Sequence, residues 1–344
     1  MNTLKTFFVF GKYLSLTPSY DHPVTRFQKI STCLLVAANF ILSLVSIYST
    51  LTDSQYYFFK KVLFFLTHVN LLNTCYTPLS MIFWNKENWQ KLIANLIFIV
   101  SISNDVSKIS RYVKIAIVRL VVKLVIVFLA FAYWTRVFGW DTIKYYSVHC
   151  FQNCLIYSYS IFMDVILYIF SLQYKHLNGT LTSCRRCDNA LKKIEQNYCF
   201  LKDTVKIFND VFQWPIALII SYTSLHILYM LDFVVVDLKR HEYDLEVQLL
   251  VDFILVMVAV IATLVVILWC DSILTEAGKL LSESYSLSRH CEEARFERFI
   301  ATLQRNFPSF SAAGFFDIKK STILDIVSTV TTFFIAAIQF QMSE

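Results

Sequence analysis

Glycine and proline are scarce here, with five of each in 344 residues. Charged side chains are scarce too, at 16%, where ordinary globular chains carry roughly 25%. The glycine shortage goes with the absence of a glycine-rich loop for phosphates. Neither residue is frequent enough to mark the paired broken helices of inverted-repeat transporters. Pro78 and Pro215 stand singly inside apolar stretches and read as kinks in individual helices. Gly-x-Ser-x-Gly and His-Glu-x-x-His are both missing, so no catalytic residue is assigned and no enzyme activity is expected.

Metal chemistry is equally thin. Cys184 and Cys187 form a lone Cys-x-x-Cys with only His176 nearby, too few ligands for zinc. Cys150 and Cys154 lie one helical turn apart, a poor geometry for a mutual disulfide. Cys184 and Cys187 read as free thiols, and no cofactor is expected.

Apolar residues are abundant, at 56%, and the mean hydropathy is +0.54. They gather into seven long runs: Ile30–Leu51, Val62–Trp84, Ile115–Phe138, Val148–Gln173, Val211–Val236, Val247–Cys270 and Thr322–Phe340. A hydrocarbon core about 30 Å thick needs about 20 apolar residues to cross as a helix. The runs are continuous and lack the alternation of barrel strands, so helices are the remaining way to satisfy the backbone in lipid. The expected fold is an all-α integral membrane bundle of seven transmembrane helices. A water-soluble chain of this length would split into domains, whereas one membrane domain absorbs all of it. The apolar run Thr6–Phe10 is too short for a secretory signal core, so the first span is expected to act as a signal anchor.

Charge sorts by connection. The N-terminal segment and the second, fourth and sixth connections carry 4, 5, 7 and 7 Lys/Arg, while the first, third and fifth carry 2 each in or beside them. The positive-inside rule then predicts a cytoplasmic N-terminus and an extracellular C-terminus. A G-protein-coupled receptor has the reverse orientation, and its Asp-Arg-Tyr and Asn-Pro-x-x-Tyr motifs are absent. The sequon Asn178-Gly179-Thr180 falls on the predicted cytoplasmic side and is expected to stay unmodified. The basic composition follows from topology, so no nucleic-acid partner is implied.

Three amphipathic stretches continue beyond the spans: Leu191 to Phe208, Ile273 to Leu281, and Ala294 to Leu303, which Pro308 terminates. They read as cytoplasmic helical extensions that pack together, or as helices lying flat on the lipid surface. The predicted organisation is a cytoplasmic segment over 1–29, six helices forming a ligand-binding bundle over 30–270, anchor helices over 271–321, and a pore helix with an external tail over 322–344.

Polar and aromatic residues cluster in the predicted outer halves of the spans. Tyr133, Trp134, Gln152, Asn153, Tyr157, His226, Tyr229, Asp232 and Asp252 are candidate ligand contacts. Aromatic walls with a few polar groups suit a small-molecule pocket. The same residues also suit interfacial belts and interhelical hydrogen bonds. His68, Asn70 and Asn73 interrupt the second span. Asp164, deep in the fourth, is expected to pair with Arg119 or Lys123 of the third.

The C-terminal region contains Ala313-Gly314-Phe315-Phe316, and the final span ends with Thr332-Phe333, five mostly apolar residues, then Gln339-Phe340. This resembles the insect gustatory receptor family, whose last helix ends in Thr-Tyr, five apolar residues and Gln-Phe. Phe333 departs from the usual tyrosine. Phe334 stands where sugar-sensing members carry an acid, which points to bitter or other non-sugar tastants. The resemblance implies a ligand-gated, non-selective cation channel in the plasma membrane of sensory dendrites. It implies a homo- or heterotetramer with related receptors, a small-molecule tastant, and permeating cations beside the surrounding membrane lipid. The last helices would line the pore, with Thr332, Ile338, Gln339 and Phe340 as pore or gate residues. On residue type alone, Gln339 and Phe340 equally suit a helix end at the membrane interface. A non-channel receptor or transporter, or a pore-inactive co-receptor, is the alternative.

Overall fold

Each of the seven predicted spans falls on a helix. The computed structural model describes residues 2–13, 17, 25–53, 57–103, 105–139, 147–183, 188–238, 245–288 and 294–343. The helices are α1 (Asn2–Tyr13), α2 (Arg26–Asp53), α3 (Tyr57–Leu79), α4 (Lys86–Ile102), α5 (Val106–Phe138), α6 (Ser147–Ser183), α7 (Asp188–Leu238), α8 (Leu245–Ser288), α9 (Ala294–Arg305) and α10 (Ser321–Ser343). Five of them, α2 and α5 to α8, contain segments long and apolar enough to cross a membrane.

The surface chemistry of α2 is inverted relative to a helix in water. Gln28, Thr32, Asn39, Ser43 and Ser46 are buried, while Leu34, Phe40, Ile41, Leu44 and Val45 are exposed. The exposed face of α5 is likewise apolar, and Phe128 is 71% accessible. Such faces are stable against lipid, where polar groups must turn inward to find partners. The chain is a multi-pass membrane protein.

The centre of the bundle is α6. Every residue from Ile156 to Leu167 is buried, so neighbours cover it on all sides. α3 passes Pro78, widens into a π-helical turn over Ser80–Trp84, and meets α4 at Asn85. Pro78 has no amide to donate, which explains a break in the ladder there. The turn closes with Asn85 N donating to Ser80 O and Asn85 Nδ2 to Ser80 Oγ, both at 2.7 Å.

Two elements differ from the sequence reading. Residues 86–102 were expected to be part of a charged connection, yet they form α4 with Trp89, Leu92, Ile93, Leu96, Ile99 and Val100 buried. The sequon lies inside α6 rather than in a loop. Asn178 Nδ2 is engaged there, donating at 2.9 Å to the backbone oxygen and to Oε2 of Glu276.

The amphipathic extensions pack together rather than standing apart. Tyr174 and Tyr198 meet edge to face at 5.9 Å, and Tyr198 Oη donates to Leu303 O at 3.3 Å. Gln304 on α9 donates to the Tyr285 hydroxyl on α8. Burial holds the Tyr198 phenol above its ordinary pKa. Cys184 and Cys187 lie outside the described residues.

Between α9 and α10 the Ala-Gly-Phe-Phe segment folds as a β-hairpin, Ser311–Ala312 against Phe316–Asp317. Ala313 and Gly314 both have positive φ, 53° and 77°, and Phe315 N donates to Ala312 O at 3.0 Å. Two successive positive φ values are the geometry of a type I′ turn, which favours glycine.

The helix α1 carries the short run Thr6–Phe10 and lodges Phe7 against Phe162 of α6, with ring centroids 4.3 Å apart. Gly11 permits this close approach, because a Cβ there would stand 2.5 Å from the Phe162 ring. Overpacking a buried contact costs about 1–3 kcal/mol. Gly11→Val is expected to lower the thermal midpoint of the detergent-solubilised protein, read by fluorescence-detected size exclusion. An unchanged midpoint would show that α1 does not dock there.

Candidate functional site

Asp164 lies near the middle of α6 and is 2% exposed. Its Oδ1 accepts from Tyr112 Oη at 2.7 Å and from Trp269 Nε1 at 2.8 Å. Arg119 Nη2 stands 2.9 Å from Oδ2, close enough for an ion pair although the angle is not that of a hydrogen bond. The expected pairing with Arg119 is present. Lys123 instead lies over the Tyr157 ring, 5.6 Å from its centroid. The rings of Tyr112 and Tyr168 stack at 3.7 Å beside the carboxylate. A single acid therefore ties α5 and α8 to α6.

Toward the N-terminal end of α6, three candidate ligand residues face three different neighbours. Gln152 Nε2 donates to Asn39 Oδ1 at 3.1 Å and to Ser43 Oγ at 2.9 Å, both on α2. Asn153 Oδ1 accepts from the Tyr222 hydroxyl on α7. Tyr157 Oη donates to Leu255 O on α8 at 3.2 Å. Gln152 and Tyr157 are fully buried. His226 is buried beside Tyr222, with centroids 5.3 Å apart, and Tyr229 lies 6.4 Å beyond it. Tyr133 is half-buried and meets the buried Trp134 at 5.6 Å. Asp252 is half-buried on α8, and the Asp232 side chain lies outside the described residues.

These side chains do not converge on either cavity described beside α6. One is a lipid-facing groove of about 460 Å³ between α5 and α6, lined by residues such as Val121, Phe128, Phe131, Cys150 and Cys154. The other, about 10 Å³, holds little more than one water beside Asn73, Pro78 and Tyr159. In this conformation Gln152, Asn153 and Tyr157 hold helices together, a role that residue type alone left open.

The last helix is arranged differently. Among the described residues of α10, Ile323, Ile326 and Val330 face the core. Asp325, Ser328, Thr332 and Gln339 are all exposed. At 3.6 residues per turn these four fall within about 60° of arc, on the side away from the packed face. Thr332 Oγ1 bonds back to Ser328 O at 2.9 Å, which lowers the cost of a hydroxyl in an apolar helix. Two of the predicted pore residues, Thr332 and Gln339, share this stripe. Ile338 lies about 100° from Gln339 and is half-buried. The Phe340 side chain lies outside the described residues. Asp325 and Ser328 escaped the motif-led sequence reading, although their spacing to Thr332 and Gln339 was available in it. Asp325 has no hydrogen-bond or ion-pair partner among the described residues, whereas the next acid toward the N-terminus, Asp317, pairs with Lys319 at 3.2 Å.

The start of α10 is held by its neighbours. Lys320 N donates to Asp271 Oδ1 on α8 at 3.1 Å. Asn209 Nδ2 on α7 donates to Ser309 O at 2.5 Å, and Trp214 meets Phe315 edge to face at 5.8 Å. The last helix is thereby joined at its start to both α7 and α8.

The fold and this surface define an all-α, multi-pass membrane protein. The chain belongs to the 7tm chemosensory receptor family, whose model matches residues 4–344. Among solved structures it resembles the insect olfactory receptor OR5 from Machilis hrabei. That likeness covers 98% of this chain and 97% of the other, with a TM-score of 0.71 and 14% identity. The same receptor in complex with eugenol matches at 15% identity, again with a TM-score of 0.71. At such identity the likeness establishes the fold. Comparison with curated protein sequences finds no match. The family is thus wider than the gustatory branch that the C-terminal motif suggested.

Removing one partner of a buried ion pair costs about 3–5 kcal/mol. Asp164→Ala is therefore expected to cut the amount of protein reaching the cell surface, measured by surface biotinylation. Joint replacement of Arg119 and Asp164 by leucine should restore part of it. Wild-type surface levels with a selective loss of ligand response would instead assign Asp164 to ligand binding.

Proposed function

We propose that the chain is a subunit of a ligand-gated, non-selective cation channel of the gustatory type, with four copies arranged around a central pore. Its N-terminus is cytoplasmic and its C-terminus extracellular, as the loop charges require. Residues 30–270 form the ligand-binding bundle, 271–321 the anchor, and 322–344 the pore helix and tail. The observation that carries this reading is the polar stripe of α10, turned away from its own subunit. A carboxylate and three neutral polar groups facing hydrocarbon would be costly, whereas a water-filled axis accommodates them. Four copies of Asp325 at the inner mouth form an acidic ring of the kind that favours cations, and the hydroxyls and Gln339 carry the ion onward.

The ligand is a small molecule, bitter or otherwise non-sugar, because Phe334 occupies the position of the acid in the sugar-sensing pattern. Its binding separates interhelical pairs near Gln152, Asn153 and Tyr157. The displacement reaches α10 through α7 and α8, by way of Asn209, Trp214 and Asp271.

Ligand-evoked current should be recorded in cells expressing the protein alone, or with related receptors if the assembly is heteromeric. Thr332→Cys and Gln339→Cys channels should be blocked by a water-soluble thiol reagent, and Val330→Cys channels should not. Asp325→Lys should reduce cation permeability several-fold relative to anions while leaving ligand sensitivity in place. Cysteines at 332 and 339 that stay unreactive in conducting channels would remove α10 from the pore.

A further inference from the structure

The polar ends of α7 and α9 run side by side and enclose a basic groove. Tyr198 meets Leu303, and Asn306 Nδ2 lies 3.9 Å from Cys199 Sγ, so the two helices ascend in parallel register. On α7 the groove is lined by Lys192, Glu195 and Lys202, and on α9 by Arg295, Arg298 and Arg305. Thr302 and Asn306 complete its floor, and its volume is about 1040 Å³. Both sets fall at spacings of three and seven residues, close to whole helical turns, so each helix presents one stripe over about 15 Å. Among the described residues that line it, five cations accompany one acid. Lys202 has only a loose contact with Asp203, at 3.5 Å, and Arg298 and Arg305 are exposed.

The positive-inside rule accounts for basic residues at this end of the chain. It does not account for their collection on two facing stripes around an open cavity. Like charges gathered in this way repel, and a multivalent anion relieves the repulsion. The planar guanidinium groups match phosphate oxygens in a two-pronged fashion, and the lysines add point charges. The donors of Thr302 and Asn306 are engaged by Arg298 O and Thr302 O, which leaves their oxygens on the floor as acceptors for the hydroxyls between phosphates.

We propose that this groove binds a polyphosphorylated polyol, either a free inositol polyphosphate or the headgroup of a phosphoinositide. On the proposed orientation it faces the cytosol. Lys206, one turn beyond Lys202 toward the predicted membrane boundary, extends the α7 stripe to where a lipid headgroup would sit. Occupancy bridges α7 to α9 and so stabilises the connection leading into α10. The inference depends on the groove and not on ion conduction.

The test uses full-length protein in phosphatidylcholine nanodiscs. Inositol hexakisphosphate is titrated by thermal shift and by thermophoresis at physiological salt, and parallel nanodiscs contain phosphatidylinositol 4,5-bisphosphate. The groove variant is Arg298→Glu with Arg305→Glu. The control, Lys91→Glu with Arg111→Glu, removes equal charge elsewhere on the same side. Size exclusion confirms that both retain the fold. The expected result is stabilisation by the probe that weakens roughly tenfold or more in the groove variant and persists in the control. A response to the soluble probe identifies a cytosolic polyanion. A response confined to the lipid-containing discs identifies a headgroup. Either supports the proposal. Equal weakening in both variants, no response to either probe, or a groove filled by an acidic segment of a neighbouring copy in the assembled protein would overturn it.

Discussion

At the centre of the bundle a carboxyl group sits where there is no bulk water to solvate it. Asp164 is tolerable there because three groups from two other helices reach it: Arg119 and Tyr112 from α5, and Trp269 from α8. Unpaired charge in such surroundings is costly, so the arrangement of α5, α6 and α8 has little freedom once that residue is placed. Three further polar residues of α6 obey the same constraint with neutral groups, each directed at a different neighbour. Gln152 selects α2, Asn153 selects α7, and Tyr157 selects α8. Apolar packing fills the spaces between helices but does not by itself choose a register, since a lipid tail is as apolar as a leucine. The buried polar groups supply that choice.

The last helix contrasts with this core. It makes few side-chain bonds to the rest of its subunit and leaves Leu324 71% exposed. Its attachments are concentrated at its beginning, at Asp271 and in the hairpin that contacts Trp214. A helix bonded at one end, with one face packed on its own subunit and the other exposed, is suited to contacts with other copies. The rigid centre and the loosely held last helix are thus joined through α7 and α8, which contribute to both.

Much of the architecture was legible in the chain. Continuous apolar runs specify helices, because lipid permits few other backbone arrangements. The extensions were legible from amphipathic spacing, and the Asp164–Arg119 pair from the rarity of charge within a span. Other features were hidden. The apolar stretch of α4, residues 92–102, follows a charged first turn and is too short to cross a membrane, so it did not stand out as a span, and its burial depends on contacts such as Trp89 against Phe212 at 5.0 Å. The docking of α1 depends on Gly11 meeting Phe162, a residue 151 positions away. Nor did residue type distinguish a ligand contact from an interhelical tie, because both uses require the same donors and acceptors.

What the sequence determined by itself was the solvent: a chain this apolar, with charge concentrated in connections, has to be a membrane bundle, and its C-terminal motif placed it among chemosensory receptors. Which side chains face one another was settled only in three dimensions. Helical periodicity assigns a residue to a face, but the partner of that face depends on how distant segments pack. The polar groups of α6 and the stripe of α10 look alike as a list of residue types. Packing turns the first inward, where every donor needs a protein acceptor, and leaves the second outward, where water or another subunit must supply one.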